Sequence, residues 1–67
     1  MGPFIAVYYD HHDEPLSTST IARNPLPQAE QEALDSADLV EMNCRRQVYR
    51  IEMMHDGEFC SELHYRF

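Results

Sequence analysis

Two prolines set two residues apart, in Asn24-Pro25-Leu26-Pro27, constrain this 67-residue chain more than any other feature. Neither proline nitrogen can donate a hydrogen bond, so regular strand pairing cannot run through them. Proline does suit the first turn of a helix, where N–H groups have no intrahelical partner anyway. The chain must therefore change its period here. Downstream, at 100° per residue, Leu26, Ala29, Ala33, Leu34, Ala37 and Val40 fall in one arc. That stripe predicts an amphipathic helix from about Pro25 to Val40, capped by Asn24. Leu39-Val40-Glu41-Met42 reads either as its last turn or as extended chain. Three alanines in the stripe suit close approach to a sheet.

Upstream, Phe4-Ile5-Ala6-Val7-Tyr8-Tyr9 is apolar, aromatic and partly β-branched, which predicts a strand. Its near-continuous apolarity implies cover on both faces, or cover on one face plus a partner chain. Asp10 to Pro15 is a polar break, and Ser17 to Ala22 reads as a second strand or as loop. After the helix, Gln47 to Met54 and Glu58 to Phe67 flank His55-Asp56-Gly57, a hairpin signal. A two-residue Asp56-Gly57 turn places Met54 opposite Phe59 and Ile51 opposite Glu62. A three-residue loop places Met53 opposite Phe59, Ile51 opposite Ser61 and Tyr49 opposite Leu63. The opposite side then carries Glu52, Arg50 and Val48 against Cys60, Glu62 and His64. The second register separates apolar from polar better and is the one expected. It sets Arg50 against Glu62, and Arg46 against Arg66.

The whole is read as a single acidic α+β domain over residues 1–67. Its expected fold is a small antiparallel sheet of three or four strands with one helix packed on one face, in the order β(β)αββ. The first strand is expected to pair with a C-terminal one. A chain this short has a thin stability margin, and small scaffolds commonly add a disulfide, a metal or a second copy.

Candidate chemistry is sparse. His11, His12, His55, His64, Cys44 and Cys60 invite a metal-site reading, but no paired ligands stand at both ends as zinc sites require. On a strand, Cys60 and His64 lie ~13 Å apart, which also separates them as nucleophile and base. His11-His12-Asp13 is a weak chelate at most. A Cys44–Cys60 disulfide needs a span of ~25 Å to collapse below ~7 Å, so two free thiols are expected. Gly2 and Gly57 are the chain's two glycines, which excludes a glycine-rich phosphate loop. No cofactor, metal or catalytic residue is assigned, and the chain is read as non-enzymatic. There is no apolar run of ~18 residues and no secretory leader pattern, so the default address is the cytoplasm.

Charge carries the remaining signal. Twelve Asp and Glu oppose five basic residues, all Arg, for a net −7 at pH 7. That balance disfavours direct contact with nucleic acid or an anionic membrane and steers the chain towards a basic protein partner. Glu30, Glu32, Asp35, Asp38 and Glu41 crowd one predicted helix, and Asp35, Asp38 and Glu41 climb one flank at three-residue steps. These five form the candidate partner-binding face. Tyr8 and Tyr9 join them as candidate anchors, since alternation sends them to opposite faces and leaves one partly exposed. By size and acidity the chain is similar in kind to small phage inhibitors, including anti-CRISPR and nucleic-acid-mimic proteins. That likeness implies an inhibitor docked on a partner's nucleic-acid-binding surface. Two other readings stand beside it: a structural subunit or homodimer joined edge to edge through a terminal strand, and a small metal-binding His/Cys domain.

Overall fold

Alternation along the first strand sorts the residues of the sheet into two unlike faces. The computed structural model describes residues 2–66. It contains β1 (Phe4–Tyr9), β2 (Pro15–Ile21), α1 (Leu26–Cys44), β3 (Arg50–His55) and β4 (Glu58–His64). The strands form one antiparallel sheet in the order β2-β1-β3-β4. The β(β)αββ expectation is met, with Pro15–Ile21 a full strand and β1 paired with both β2 and β3.

On one face Ala6 and Tyr8 of β1, Ile21 of β2, and Ile51 and Met53 of β3 are buried. The helix lies over β1 and β2 and buries Ala29, Ala33, Ala37 and Val40 against them. Leu34 of the helix, with Leu63 and Tyr65 from the β4 side, packs against the same core. The alanines bring the helix close enough for the Tyr8 hydroxyl to donate to the Ala33 carbonyl at 2.9 Å. On the other face Ile5, Val7 and Met54 are half-buried and Phe59 is 57% exposed. No helix or strand among the described residues lies over that face. Cover on both faces of β1, one of the two expectations, is therefore not found among the described residues.

The helix differs from its expected bounds at both ends. It runs on to Cys44, so Leu39 to Met42 are helical, and ends where Arg45 turns left-handed at φ 57° and donates its N–H to the Glu41 carbonyl. At its start Pro25, not Asn24, holds the cap position, with no side-chain cap. Pro27 then occupies the second helical position, where a missing N–H costs little.

The hairpin combines the two registers weighed above. Asp56 and Gly57 both have positive φ, 52° and 81°, and form a two-residue turn with His55 opposite Glu58 and Met54 opposite Phe59. A register shift at Cys60 then brings Met53 opposite Ser61, Ile51 opposite Leu63 and Arg50 opposite His64. The expected pairs of Met53 with Phe59, Ile51 with Ser61 and Arg50 with Glu62 are thus incorrect. The tight turn and the burial of Ile51 with Leu63 are both kept because one extra residue in β4 absorbs the mismatch. Phe59 is left on the open face as a result. Val48, expected on the polar side, is fully buried, because the chain leaves the sheet before Arg50 and turns Val48 into the core.

The alanine positions have no slack. Replacing Ala33 with Met should cost about 1–3 kcal/mol by overpacking against β1. Urea denaturation of the purified variant, read by circular dichroism, checks this.

Candidate partner-binding surface

The five helix carboxylates do not form one face. Measured around the helix from the buried alanines, Glu30 and Glu41 lie towards β4 and Glu32 towards β2, while Asp35 and Asp38 point outwards. Glu41 accepts the Val48 N–H at 2.8 Å and a forked pair from Arg66, Nε at 3.1 Å and Nη2 at 2.9 Å. Glu32 accepts the N–H groups of Ala22 at 3.4 Å and Arg23 at 3.2 Å, in the turn entering the helix. Glu30 accepts from the Ser61 hydroxyl at 2.7 Å. Each of these three acids thus accepts from a residue outside the helix. Asp35 and Asp38 are exposed; Asp35 accepts from Gln31 at 3.0 Å and Asp38 from the Tyr65 hydroxyl at 2.6 Å. The Asp38 carboxylate, followed by burial, holds the Tyr65 phenol above its ordinary pKa.

The two tyrosines part company. Tyr8 is fully buried beneath the helix and burial raises its pKa, so it is a core residue and is removed from the candidate anchors. Tyr9 is the half-exposed one. The Arg50 guanidinium stacks 4.1 Å from its ring centre and its hydroxyl donates to Glu52 at 3.2 Å.

Four of the five arginines are matched within the chain. Arg23 pairs with Glu32, Arg46 with Asp10 and Glu14, Arg50 with Asp13, Glu52 and Glu62, and Arg66 with Glu41. Arg46 and Arg66 do not face each other as the expected strand pair, since the β3–β4 ladder begins at Arg50, and each is drawn to a carboxylate on a different element. Among the described residues Glu30, Asp35, Asp38, Asp56 and Glu58 have no arginine within ion-pair distance; Asp56, in the hairpin turn, lies 3.7 Å from the His55 ring. Glu30 and Asp38 reach β4 through Ser61 and Tyr65, and Glu58 lies on β4 on the same side of the sheet as Ser61. Together they make an acidic rim where the helix flank meets β4. Glu58 was not singled out from the sequence, because its side of the sheet depends on the turn register.

The histidines and cysteines are dispersed. The His11 and His12 rings lie 3.8 Å apart, tilted by 41°, on an exposed loop, His55 Nε2 lies 3.0 Å from the Gly2 carbonyl, and His64 lies 3.0 Å from Glu62. Cys44 and Cys60 are both free thiols. No three His, Cys, Asp or Glu side chains among the described residues are grouped to hold a metal. An open cleft of about 430 Å³ lies between the start of β1 and the start of the helix, lined in part by Phe4, Ile21, Leu26 and His55. Among the described residues, no helix is long and apolar enough to cross a membrane.

Asp10, the first residue of the polar break after β1, is 2% exposed and organises that loop. Its carboxylate accepts the N–H groups of Glu14 and His12, each at 2.9 Å, and pairs with Arg46. Those backbone bonds, Glu14's first, lower its pKa against the opposing effect of burial. A carboxyl with a lowered folded pKa stabilises the fold above its unfolded pKa, and that stabilisation is lost as pH falls through the folded value. Asp10→Asn should therefore melt lower than the wild type above about pH 5, and the gap should close in acid. Melting curves taken across pH 2 to 7 on both proteins would show it, on a scale set by ordinary carboxylate titration at about pH 4.

Compared with protein-family models, curated proteins and solved structures, the chain matches none.

Proposed function

We propose that this chain is a small, non-enzymatic, acidic protein-binding module that docks on a basic surface of a partner and blocks or tunes it. The observation that carries the reading is the internal matching of Arg23, Arg46, Arg50 and Arg66. Their positive charge is spent inside the fold, while Glu30, Asp38 and Glu58 line one rim and Asp35 stands exposed on the outer helix face. The rim thus gathers three carboxylates that no arginine offsets where a partner can reach them. A field of that sign attracts Arg- and Lys-rich surfaces, including those that otherwise receive a phosphate backbone. Tyr9, half-exposed on the opposite sheet face, is not part of this rim. A cytoplasmic address belongs to the same proposal and accords with the two unpaired thiols.

Capture from the native host, followed by a salt series, tests it. Captured protein should elute as salt rises towards about 1 M, where the screening length shrinks to ~3 Å. Asp38→Lys combined with Glu58→Lys should abolish capture while leaving the circular dichroism spectrum unchanged. Capture that persists at high salt, or in the double variant, would refute the acidic docking rim.

A further inference from the structure

The two edges of the sheet are guarded differently. On β4, Glu58 and Glu62 are exposed and the irregularity at Cys60 breaks the ladder, features that keep another chain off an edge. β2 lacks such charges. Its residues Pro15-Leu16-Ser17-Thr18-Ser19-Thr20-Ile21 include none, in a chain of net charge −7. From Ser17 to Ile21 its pairing with β1 is regular, and β1 is its one strand neighbour. Alternate backbone N–H and C=O groups along its outer side therefore have no strand partner.

We infer that β2 pairs with β2 of a second copy about a two-fold axis at Thr18, joining two four-stranded sheets into one. Thr18 is the midpoint of the strand, and antiparallel pairing about it joins the regular backbone of Ser17, Thr18 and Ser19 in the two copies, with the irregularity at Leu16 and Pro15 falling towards the ends. Thr18 meets Thr18, Ser17 meets Ser19, and Leu16 meets Thr20. Serine and threonine pairs across strands are favourable, and the arrangement brings no like charges together along the strand.

The helix fits the same axis. Glu32 bonds the chain just beyond the end of β2, and the Cys44 thiol reaches the Leu16 carbonyl at 3.6 Å near its start, so helix and strand run antiparallel. Counting ~1.5 Å per helical residue and ~3.3 Å per strand residue from that contact, Leu39 stands level with Thr18. Leu39 is seven residues from Glu32, hence on the flank that overlooks β2, and it is 59% exposed. The helix lies over both β1 and β2. With strands ~4.8 Å apart, the two-fold sets the helix axes about 10 Å from one another, near the packing distance of helices. The Leu39 side chains of the two copies then meet at the axis. The helices are antiparallel, so the half bearing Asp35 runs beside the other copy's Arg45; among the described residues neither has an ion-pair partner in its own chain, and the acidic rim near β4 stays outside the interface.

Sedimentation equilibrium from about 1 to 100 μM, the range in which a micromolar dimer dissociates, tests this directly. The wild type should be a dimer at the upper end. Thr18→Asp and Leu39→Glu should each raise the dissociation constant at least about tenfold. Circular dichroism identifies the folded samples; Leu39 projects into solvent in the single chain, so its variant keeps the fold even if Thr18→Asp does not. Phe59→Ser, on the open face of β4, should leave association unchanged. A wild type that is monomeric throughout, a folded variant of either kind that associates like the wild type, or dissociation caused by Phe59→Ser would each overturn the proposal.

Discussion

The close seat of the helix on β1 governs the rest of the molecule. Ala29, Ala33 and Ala37 present no bulk beyond a methyl group, and the gap they leave is filled from the other side by Tyr8. Its ring lies in the core and its hydroxyl finds the Ala33 carbonyl, so a large side chain is buried without leaving a polar atom unsatisfied. A helix carrying leucines at these positions would stand further off and could not receive that hydroxyl. Because the small stripe lies over β1 and β2, the helix is displaced to one side of the sheet. Leu34, Leu63 and Tyr65 fill the space towards β4. The same displacement brings Glu30 and Asp38 to the β4 side and leaves Leu39 overlooking β2.

Arginine ties the connections to this core. Arg46, just after the helix, reaches the loop after β1, and Arg66, after β4, reaches Glu41 on the helix. With each guanidinium still well exposed, the ion pairs themselves contribute only about 0–1 kcal/mol each and do not decide stability. Asp10 and Glu41 differ because each also accepts backbone N–H groups that would otherwise lack partners. The more consequential effect is on the field outside. Positive charge is consumed in closing loops, and of the carboxylates left over Glu30, Asp38 and Glu58 sit on one rim.

The sequence makes the elements legible where one period or one residue type decides them. The proline pair and the alanine stripe locate the helix, and the apolar run at Phe4 locates β1, because burial of a fixed face admits one solution. What depends on a choice between near-equal alternatives is not legible. The hairpin satisfies its Asp56-Gly57 turn and its apolar face at once through an extra residue at Cys60, and no local signal marks that residue. The acidic cluster misleads for a related reason. Proximity in sequence suggests one surface, yet 100° steps already separate Glu30, Glu32 and Glu41 from Asp35. Their partners Ser61, Ala22 and Arg66 come from elements whose placement only the full fold determines. Tyr8 and Tyr9 are distinguishable in principle by alternation, but which of them faces the helix depends on where the sheet is covered.

The open face follows from the same economy. One helix of this length can cover little more than two strands, and the chain supplies no second layer among its described residues. Ile5, Val7, Met54 and Phe59 therefore remain partly in water, at a cost of about 25 cal/mol for each Å² of apolar surface so exposed. A stable alternative within one chain would exchange them for polar residues, as the β2 positions Thr18 and Thr20 already do on that same face. Joining sheets edge to edge adds strand pairs and helix contact without altering either face, so it stabilises a thin two-layer fold while leaving the apolar patch as it was. Edge pairing and cover of the open face are thus separate physical questions. The uncharged strand and Leu39 bear on the first alone.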